Sequence, residues 1–210
     1  MILHGYWRSG AAWRTRIALE LKGLAYGQQS VDLRAGAQKS AAFVALNPQG
    51  MVPALEVDGA VLTQSPAILE WLEEVHPQPA LLPADAVDRA HVRAMAALVG
   101  CDIHPLNNLR VGKALRETFG ADQAAVDAWA ARWIVPGFGA LEALVADHGA
   151  GWCFGASPTL ADCYLIPQIY SARRFNVPLD AFPRLLAIDA AAARHPAFVA
   201  AHPDRQPDAD

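Results

Sequence analysis

The sequence predicts a chain in two parts. An α/β domain with the element order βαβαββα spans residues 1–80, and an all-helical domain spans residues 86–210. Three observations carry this reading. Strand and helix patterns alternate through the first 80 residues. Pro77, Pro79 and Pro83 punctuate a linker. Beyond that linker every periodic segment has helical spacing, and no strand or hairpin signal recurs.

The elements follow in order. The apolar run Ile2 to Trp7 reads as a first strand, and Ala12 to Lys22 as a helix stopped by Gly23. Ala25 to Leu33 reads as a second strand and Gln38 to Leu46 as a short helix, broken by Asn47-Pro48-Gln49-Gly50. Pro53 to Val57 and Ala60 to Thr63 flank Asp58-Gly59, a strong hairpin signal. Ser65-Pro66 then opens a helix to about Val75, with serine a favoured cap and proline favoured at the first helical position. Helical segments are expected near 86–112, 122–147, 159–175, 181–194 and 196–201. Thr159 to Asp162 fits a capping box, whose work is folding. The polar tail from Asp204 is expected to fray.

Composition narrows the function. Of 210 residues 53% are hydrophobic and 18% charged, so a packed core is expected and extended disorder is not. The net charge of −4 argues against non-specific nucleic-acid binding, which needs a basic face. No apolar run reaches the roughly 18 residues of a membrane span, so no membrane partner is expected. Cys101, Cys153 and Cys163 have no metal-ligand spacing, and no cluster of His, Asp and Glu supplies a metal site. An odd, sparse set of thiols suits a reducing, cytoplasmic setting with free, buried cysteines. Neither GxGxxG nor a Walker motif is present to bind nucleotide.

The most informative stretch runs from Trp7 to Leu19. A strand enters a loop holding one hydroxyl, Ser9, and a helix follows. An α/β sheet presents its chemistry at such a junction. Unpaired N–H groups and the positive end of the helix dipole stabilise an anion there. Phosphate, carboxylate and thiolate all remain open on the local pattern. Gln64 and Ser65 form a second strand-to-helix junction. His104 precedes Pro105, so its helix should kink, and Asn108 lies four residues on along the same face. That polar pair in an apolar helix points to a cleft or a subunit interface.

The order βαβαββα resembles the thioredoxin fold. There the proline matching Pro53, placed at the start of a strand, is cis, and its neighbour's backbone pairs with a cysteinyl ligand. A thioredoxin-like domain followed by a helical one resembles the architecture of glutathione transferases. Arg8-Ser9-Gly10-Ala11-Ala12-Trp13-Arg14-Thr15-Arg16-Ile17-Ala18-Leu19 is similar to the signature of the zeta class. Asn47 to Leu55 and Leu62 to Ile68 match that class's other two glutathione-site segments. The similarity covers essentially the whole chain. Gly100 to Asn108 fits the bacterial glutathione-dependent maleylpyruvate isomerases within the class.

The resemblance implies glutathione as cofactor. Ser9 would donate a hydrogen bond to its sulfur, since such sites acidify a thiol whose free pKa is about 8.5. Gln64 and Ser65 would hold the γ-glutamyl carboxylate, Val52 beside Pro53 the cysteinyl backbone, and Gln38 and Gln49 the glycyl end, with His104 and Asn108 also contacting ligand. Arg8, Arg110 and Arg174 match the positions thought to bind substrate carboxylates, a task that suits the planar guanidinium. Arg173 beside Arg174 leaves open which of the two faces the ligand. The implied reaction is glutathione-dependent cis–trans isomerisation of a maleyl dicarboxylate or keto acid by a homodimer. Displacement on α-halo acids by the same thiolate, and glutathione binding without turnover, are the alternatives. One departure stands out: Ala11 and Ala12 occupy positions where zeta enzymes usually carry Ser, Thr or Cys, leaving Ser9 as the only hydroxyl in the loop.

Overall fold

The computed structural model describes residues 1–209 and divides the chain into two compact units. The first comprises Met1–Leu81 together with the chain from Ala193 onward, and the second is Leu82–Ala192.

In the first unit four strands form one sheet in the order β2-β1-β3-β4, with β1 Ile2–Gly5, β2 Gly27–Ser30, β3 Ala54–Val57 and β4 Ala60–Thr63. β1 pairs parallel with β2, Ile2 opposite Gly27, and antiparallel with β3, Leu3 opposite Leu55. β3 and β4 close a two-residue hairpin at Asp58 and Gly59, both at positive φ, as a right-handed twist favours. Helices α1 (Gly10–Leu21), α2 (Ala41–Leu46) and α3 (Ser65–Val75) complete the expected βαβαββα order. The thioredoxin-like reading of this half therefore holds. Its core combines Leu3, Ile17, Leu19, Leu55, Ile68, Leu69 and Leu72, each at most 1% exposed. A buried ion pair closes the unit's far end. Lys22 Nζ donates to Glu73 Oε2 at 2.7 Å and to the carbonyls of His76 and Pro79 at 2.7 and 3.0 Å.

Several boundaries move. The first strand stops at Gly5 and the second shrinks to Gly27–Ser30, because only those residues find ladder partners on this exposed edge. The expected helix 38–46 splits. Ser40 is extended and caps α2 by accepting from Phe43 N–H, so Gln38 falls in a separate 3₁₀ turn, Ala37–Lys39. α3 begins one residue early, with Gln64 rather than Ser65 at its cap position.

The tail is held in place through residue 209, against the expectation of fraying, and Asp210 lies outside the described residues. Helix α9 (Pro196–Ala201) packs against α1, and Gln206 Nε2 donates to the carbonyls of Ala200 and His202 at 3.0 and 2.7 Å. The sequence reading carried the helical domain to residue 210. Hydrogen bonds from Arg16 to Ala201, from Gln28 to Gln206 and from Trp7 to Asp208 instead fasten the chain's last part to the first unit.

The second unit is helical throughout: α4 (Ala86–Ala97), α5 (Leu109–Phe119), α6 (Gln123–His148), α7 (Leu160–Arg174) and α8 (Pro183–Ala192). The expected helix 86–112 is broken. α4 widens into a π turn over Leu98–Ile103, then a 3₁₀ turn over His104–Leu106, before α5 starts afresh. Close packing fixes this break. A Cβ on Gly137 would fall 2.4 Å from Ile103 Cδ1, and one on Gly100 would fall 2.9 Å from Tyr164 Cε1. The capping box forms as expected. Asp162, fully buried, accepts from the Thr159 N–H and hydroxyl at 2.7 and 2.8 Å and from Cys153 N–H at 2.8 Å. No helix is long and apolar enough to cross a membrane among the described residues.

Candidate functional site

Ser9 lies where β1 hands over to α1. Its N–H closes a turn on the Tyr6 carbonyl at 2.9 Å, and its extended backbone makes it the cap of α1. Its Oγ accepts from Ala12 N–H at 3.3 Å. A hydroxyl has two acceptor sites and one proton, so this cap leaves the O–H free to donate. Capping therefore leaves the Ser9 hydroxyl available to a ligand. No acidic residue occupies the first turn of α1 to oppose an anion. Ala12 is fully buried, and a Cβ on Gly5 would stand only 3.1 Å from its Cβ. Alanine there is a packing requirement between helix and strand. Arg8 lies in the loop beyond the strand, its guanidinium carbon 5.2 Å from the Trp7 ring centroid.

The second junction assembles around Val52–Pro53, which is cis as expected, at the start of β3. Gln64 sits at φ +68°, a left-handed conformation uncommon for a residue with a side chain. Its Nε2 donates to Gln49 Oε1 at 2.5 Å, so two predicted residues meet directly. With that side chain turned to Gln49, the N-terminus of α3 has no side-chain cap. Its first-turn N–H groups, beginning at the buried Ser65, remain open to an external carboxylate.

Gln49 is carried on a built loop. Asn47 Nδ2 donates to the Met51 carbonyl at 2.6 Å, and Asn47 Oδ1 accepts from Gln49 N–H at 3.1 Å. Gly50 has φ +60°, and a Cβ there would come 2.9 Å from both the Gln38 carbonyl and Lys39 Nζ. Gln38 is half-buried with Oε1 buried and without a hydrogen-bond partner, which a solvated helix residue would not show. These features fit a peptide-like ligand. They comprise an open helix terminus for a carboxylate, a strand-start backbone at Val52, a glycine cradle and an amide with unmet hydrogen bonding.

The remaining predicted residues belong to the second unit. His104 opens the 3₁₀ turn, which Trp129 pins by donating Nε1–H to the Leu106 carbonyl at 2.7 Å. Asn108 does not continue His104's helix face. It caps α5, its Oδ1 accepting from Arg110 N–H at 3.1 Å, because the break at His104–Leu106 resets the helix. Arg110 is exposed in the first turn of α5, and Arg174 is exposed at the last residue of α7. Arg173 Nη2 is held by Asp189 Oδ2 at 2.6 Å.

All three cysteines lie in this second unit without a disulfide. Cys153 and Cys163 are buried, while Cys101 is exposed, against the expectation that the thiols are buried. Burial, with the nearby Asp162 carboxylate, pushes the Cys153 thiol well up. None of the described residues forms a three-ligand metal cluster.

Sequence reasoning missed three residues beside the Ser9 and Gln49 loops: Arg16, Lys39 and Asp208. Arg16 is 1% exposed and donates to the carbonyls of Trp7 and Ala201 at 2.7 and 3.1 Å. Burial pulls its guanidinium down to about 10. A charged residue three positions after Trp13 and three before Leu19, on the side of α1 that packs inward, was the available signal for it. Lys39 Nζ donates to the Gln49 carbonyl at 3.4 Å, and nothing in the local sequence marked it.

The chain's relatives agree with this geometry. Residues 8–75 match the glutathione S-transferase N-terminal domain and residues 123–196 the glutathione S-transferase C-terminal domain. The chain belongs to the glutathione S-transferase family. Within it, a maleylpyruvate isomerase from a Ralstonia species is 56% identical over 99% of both chains. A maleylacetoacetate isomerase from Pseudomonas aeruginosa is 53% identical, over 99% of this chain and 98% of the relative. A solved holo structure of a maleyl pyruvate isomerase, described as a bacterial zeta-class glutathione S-transferase, superposes with TM-score 0.98 at 55% identity, covering both chains completely. The maleylacetoacetate isomerase of Anaeromyxobacter dehalogenans, solved with glutathione in its active site, gives TM-score 0.90 at 50% identity over 100% of this chain and 97% of its own.

Proposed function

We propose that this chain is a glutathione-dependent cis–trans isomerase converting a maleyl dicarboxylate, maleylpyruvate or maleylacetoacetate, into its fumaryl isomer. The observation that carries the reading is Ser9, whose hydroxyl caps α1 and keeps a proton to donate at the positive end of that helix. Bound there, glutathione supplies a thiolate that adds reversibly to the alkene, permits rotation about the former double bond, and leaves unconsumed. Ser9 and the first-turn N–H groups of α1 hold the sulfur's negative charge. Ser65 and the open end of α3 take the γ-glutamyl carboxylate, Gln64 and Gln49 brace each other against the ligand, and Val52 offers its backbone beside Pro53. Gln38 supplies its unmatched amide to the glycyl end. His104 and Asn108 are further ligand contacts in this reading. Arg8, Arg110 and Arg174 take the substrate's carboxylates and the charge that develops on its carbonyl oxygen.

The two relatives with different substrate names stand at nearly equal identity, 56% and 53%, so the choice between maleylpyruvate and maleylacetoacetate rests with the assay. Free thiols without a disulfide support a cytoplasmic setting. The proposed assembly is a homodimer, and a hollow of about 390 Å³ on the second unit is one surface a second copy could cover. Leu98, Ile103, Trp133, Pro136, Gly137 and Ala140 line it together with Asp102 and Arg132. An acid and a base in one apolar patch suit a twofold contact, in which each residue meets its opposite in the other copy.

The test offers each keto acid with glutathione far below stoichiometry. Isomerisation should run to equilibrium over many turnovers per glutathione, with free thiol undiminished. Glutathione loss with an α-halo acid and no isomerisation would establish the displacement reading. Binding without either reaction would establish a non-catalytic protein.

A further inference from the structure

The end of the chain, which has no part in the chemistry above, grips the loop that does. Asp208 Oδ2 accepts the Trp7 backbone N–H at 3.1 Å and the Ser30 hydroxyl at 2.8 Å. Trp7 lies one residue before Arg8 and two before Ser9. Its carbonyl accepts Arg16 Nη2 at 2.7 Å, and Arg16 Nε donates to the Ala201 carbonyl in α9 at 3.1 Å. Both backbone polar groups of Trp7 are thus held by side chains. One comes from the tail, and the other is itself moored to the tail's helix.

The tail is anchored independently. Gln206 accepts from Gln28 Nε2 at 2.8 Å and donates to the carbonyls of Ala200 and His202. The His202 ring stands edge-on to Trp13 in α1 at 5.2 Å. β1 ends at Gly5 and α1 begins at Gly10, so the residues between them belong to neither element. Trp7 is the point at which that short bridge is clamped.

We propose that Asp208 is a positioning residue for the Arg8–Ser9 loop, setting the place of the Ser9 hydroxyl through the Trp7 backbone. The proposal rests on the reading of Ser9 as the group that acidifies the glutathione thiol. One carboxylate oxygen takes both hydrogen bonds, so an amide oxygen in the same place can replace it, while alanine cannot. Glutathione's γ-glutamyl and glycyl contacts lie on other segments, so losing the clamp should cost turnover more than binding.

The test compares Asp208→Ala, Asp208→Asn and the exposed tail control Asp204→Ala in the full-length protein. Three readouts are needed: amide hydrogen exchange over residues 7–12 without ligand, the thiolate absorbance of bound glutathione against pH, and steady-state kinetics. Asp208→Ala should speed exchange in the loop, raise the bound thiol's pKa and lower kcat about tenfold, with the glutathione KM near wild type. Asp208→Asn should restore most of the loss, and Asp204→Ala should behave as wild type. Unchanged exchange in Asp208→Ala overturns the proposal. So does faster exchange with an unaltered thiol pKa and kcat, which would make the contact one of folding alone. A wild-type protein that binds glutathione without acidifying it would defeat the reading of Ser9 instead. The ligand-free exchange would then decide by itself whether the tail holds the loop.

Discussion

Replacing Ser9 by alanine removes two interactions whose sizes differ enough to be separated. The first is the cap. Ala12 N–H loses its acceptor at 3.3 Å, a change that costs about 1 kcal/mol and lowers Tm by roughly 2–4 °C in a chain of this size. The second is the hydrogen bond to the thiolate. A bond to a charged group contributes about 1.5–3 kcal/mol, and 1.36 kcal/mol corresponds to one pKa unit. The bound thiol should therefore rise by about one to two units. Well below both pKa values the thiolate fraction, and with it the rate, should fall roughly ten- to a hundredfold. The deficit should close as pH climbs past the free thiol's value of about 8.5. The assay pairs the ultraviolet pH titration of bound glutathione with kcat over the same range. Ser9→Gly separates the two effects, because glycine caps a helix nearly as well as serine but has no hydroxyl. It should retain most of the stability and lose the acidification. A bound thiol that titrates identically in wild type and Ser9→Ala would refute the reasoning, whatever happened to Tm.

Two further outcomes test the scaffold. Lys22→Met should cost about 3–5 kcal/mol in urea unfolding, because it removes the ammonium that neutralises the buried Glu73 carboxylate. The double variant Lys22→Met/Glu73→Leu should recover part of that loss, and equal losses in the two would count against it. Asp162→Asn should destabilise by about 2–4 kcal/mol, since three donors converge on the carboxylate. Burial, opposed by those hydrogen bonds, holds the Asp162 carboxyl above its ordinary range. The native state then binds that proton more tightly than the unfolded chain does. The group's contribution is fullest below the unfolded value near 3.9 and is lost as pH rises through the native one. The stability gap between wild type and Asp162→Asn should consequently widen as pH is lowered, which paired denaturation curves would show.

Much of the first unit was legible because its signals are local. Asp58-Gly59 can only turn, and Ser9 can cap whatever helix follows it. What escaped was non-local or depended on competition between neighbours. The Asp208–Trp7 bond joins residues 201 positions apart, and no period or motif connects them. Tail residues that look solvated one by one become ordered through partners on α1, on β2 and in the loop at Trp7. The helix start at Gln64 was misplaced by one residue. Serine and proline propensities favour a cap at Ser65, but the left-handed backbone of Gln64 and its bond to Gln49 take that position over. In the helical unit, His104-Pro105 announced a disturbance without its extent. The π turn before it, and the fresh cap at Asn108 after it, follow from how closely Ile103 packs over Gly137.

The same contrast bears on whether one hydroxyl suffices. Counted from sequence, Ala11 and Ala12 look like missing donors. In the structure Ala12 is core, its Cβ against Gly5, and a polar group there would be buried away from the loop. Only position 11, half-buried in the first turn, could add a side-chain donor. What remains beside Ser9 is backbone. The first turn of α1 offers N–H groups with no carboxylate nearby in sequence to claim them, at the positive end of a 12-residue helix. Such a terminus stabilises an anion by about 0.3–1 kcal/mol, less than the hydrogen bond from Ser9 but independent of side-chain identity. Ser9→Gly should therefore retain a residual acidification relative to free glutathione. The size of that residue measures how much of the work belongs to the fold and how much to the single hydroxyl placed on it.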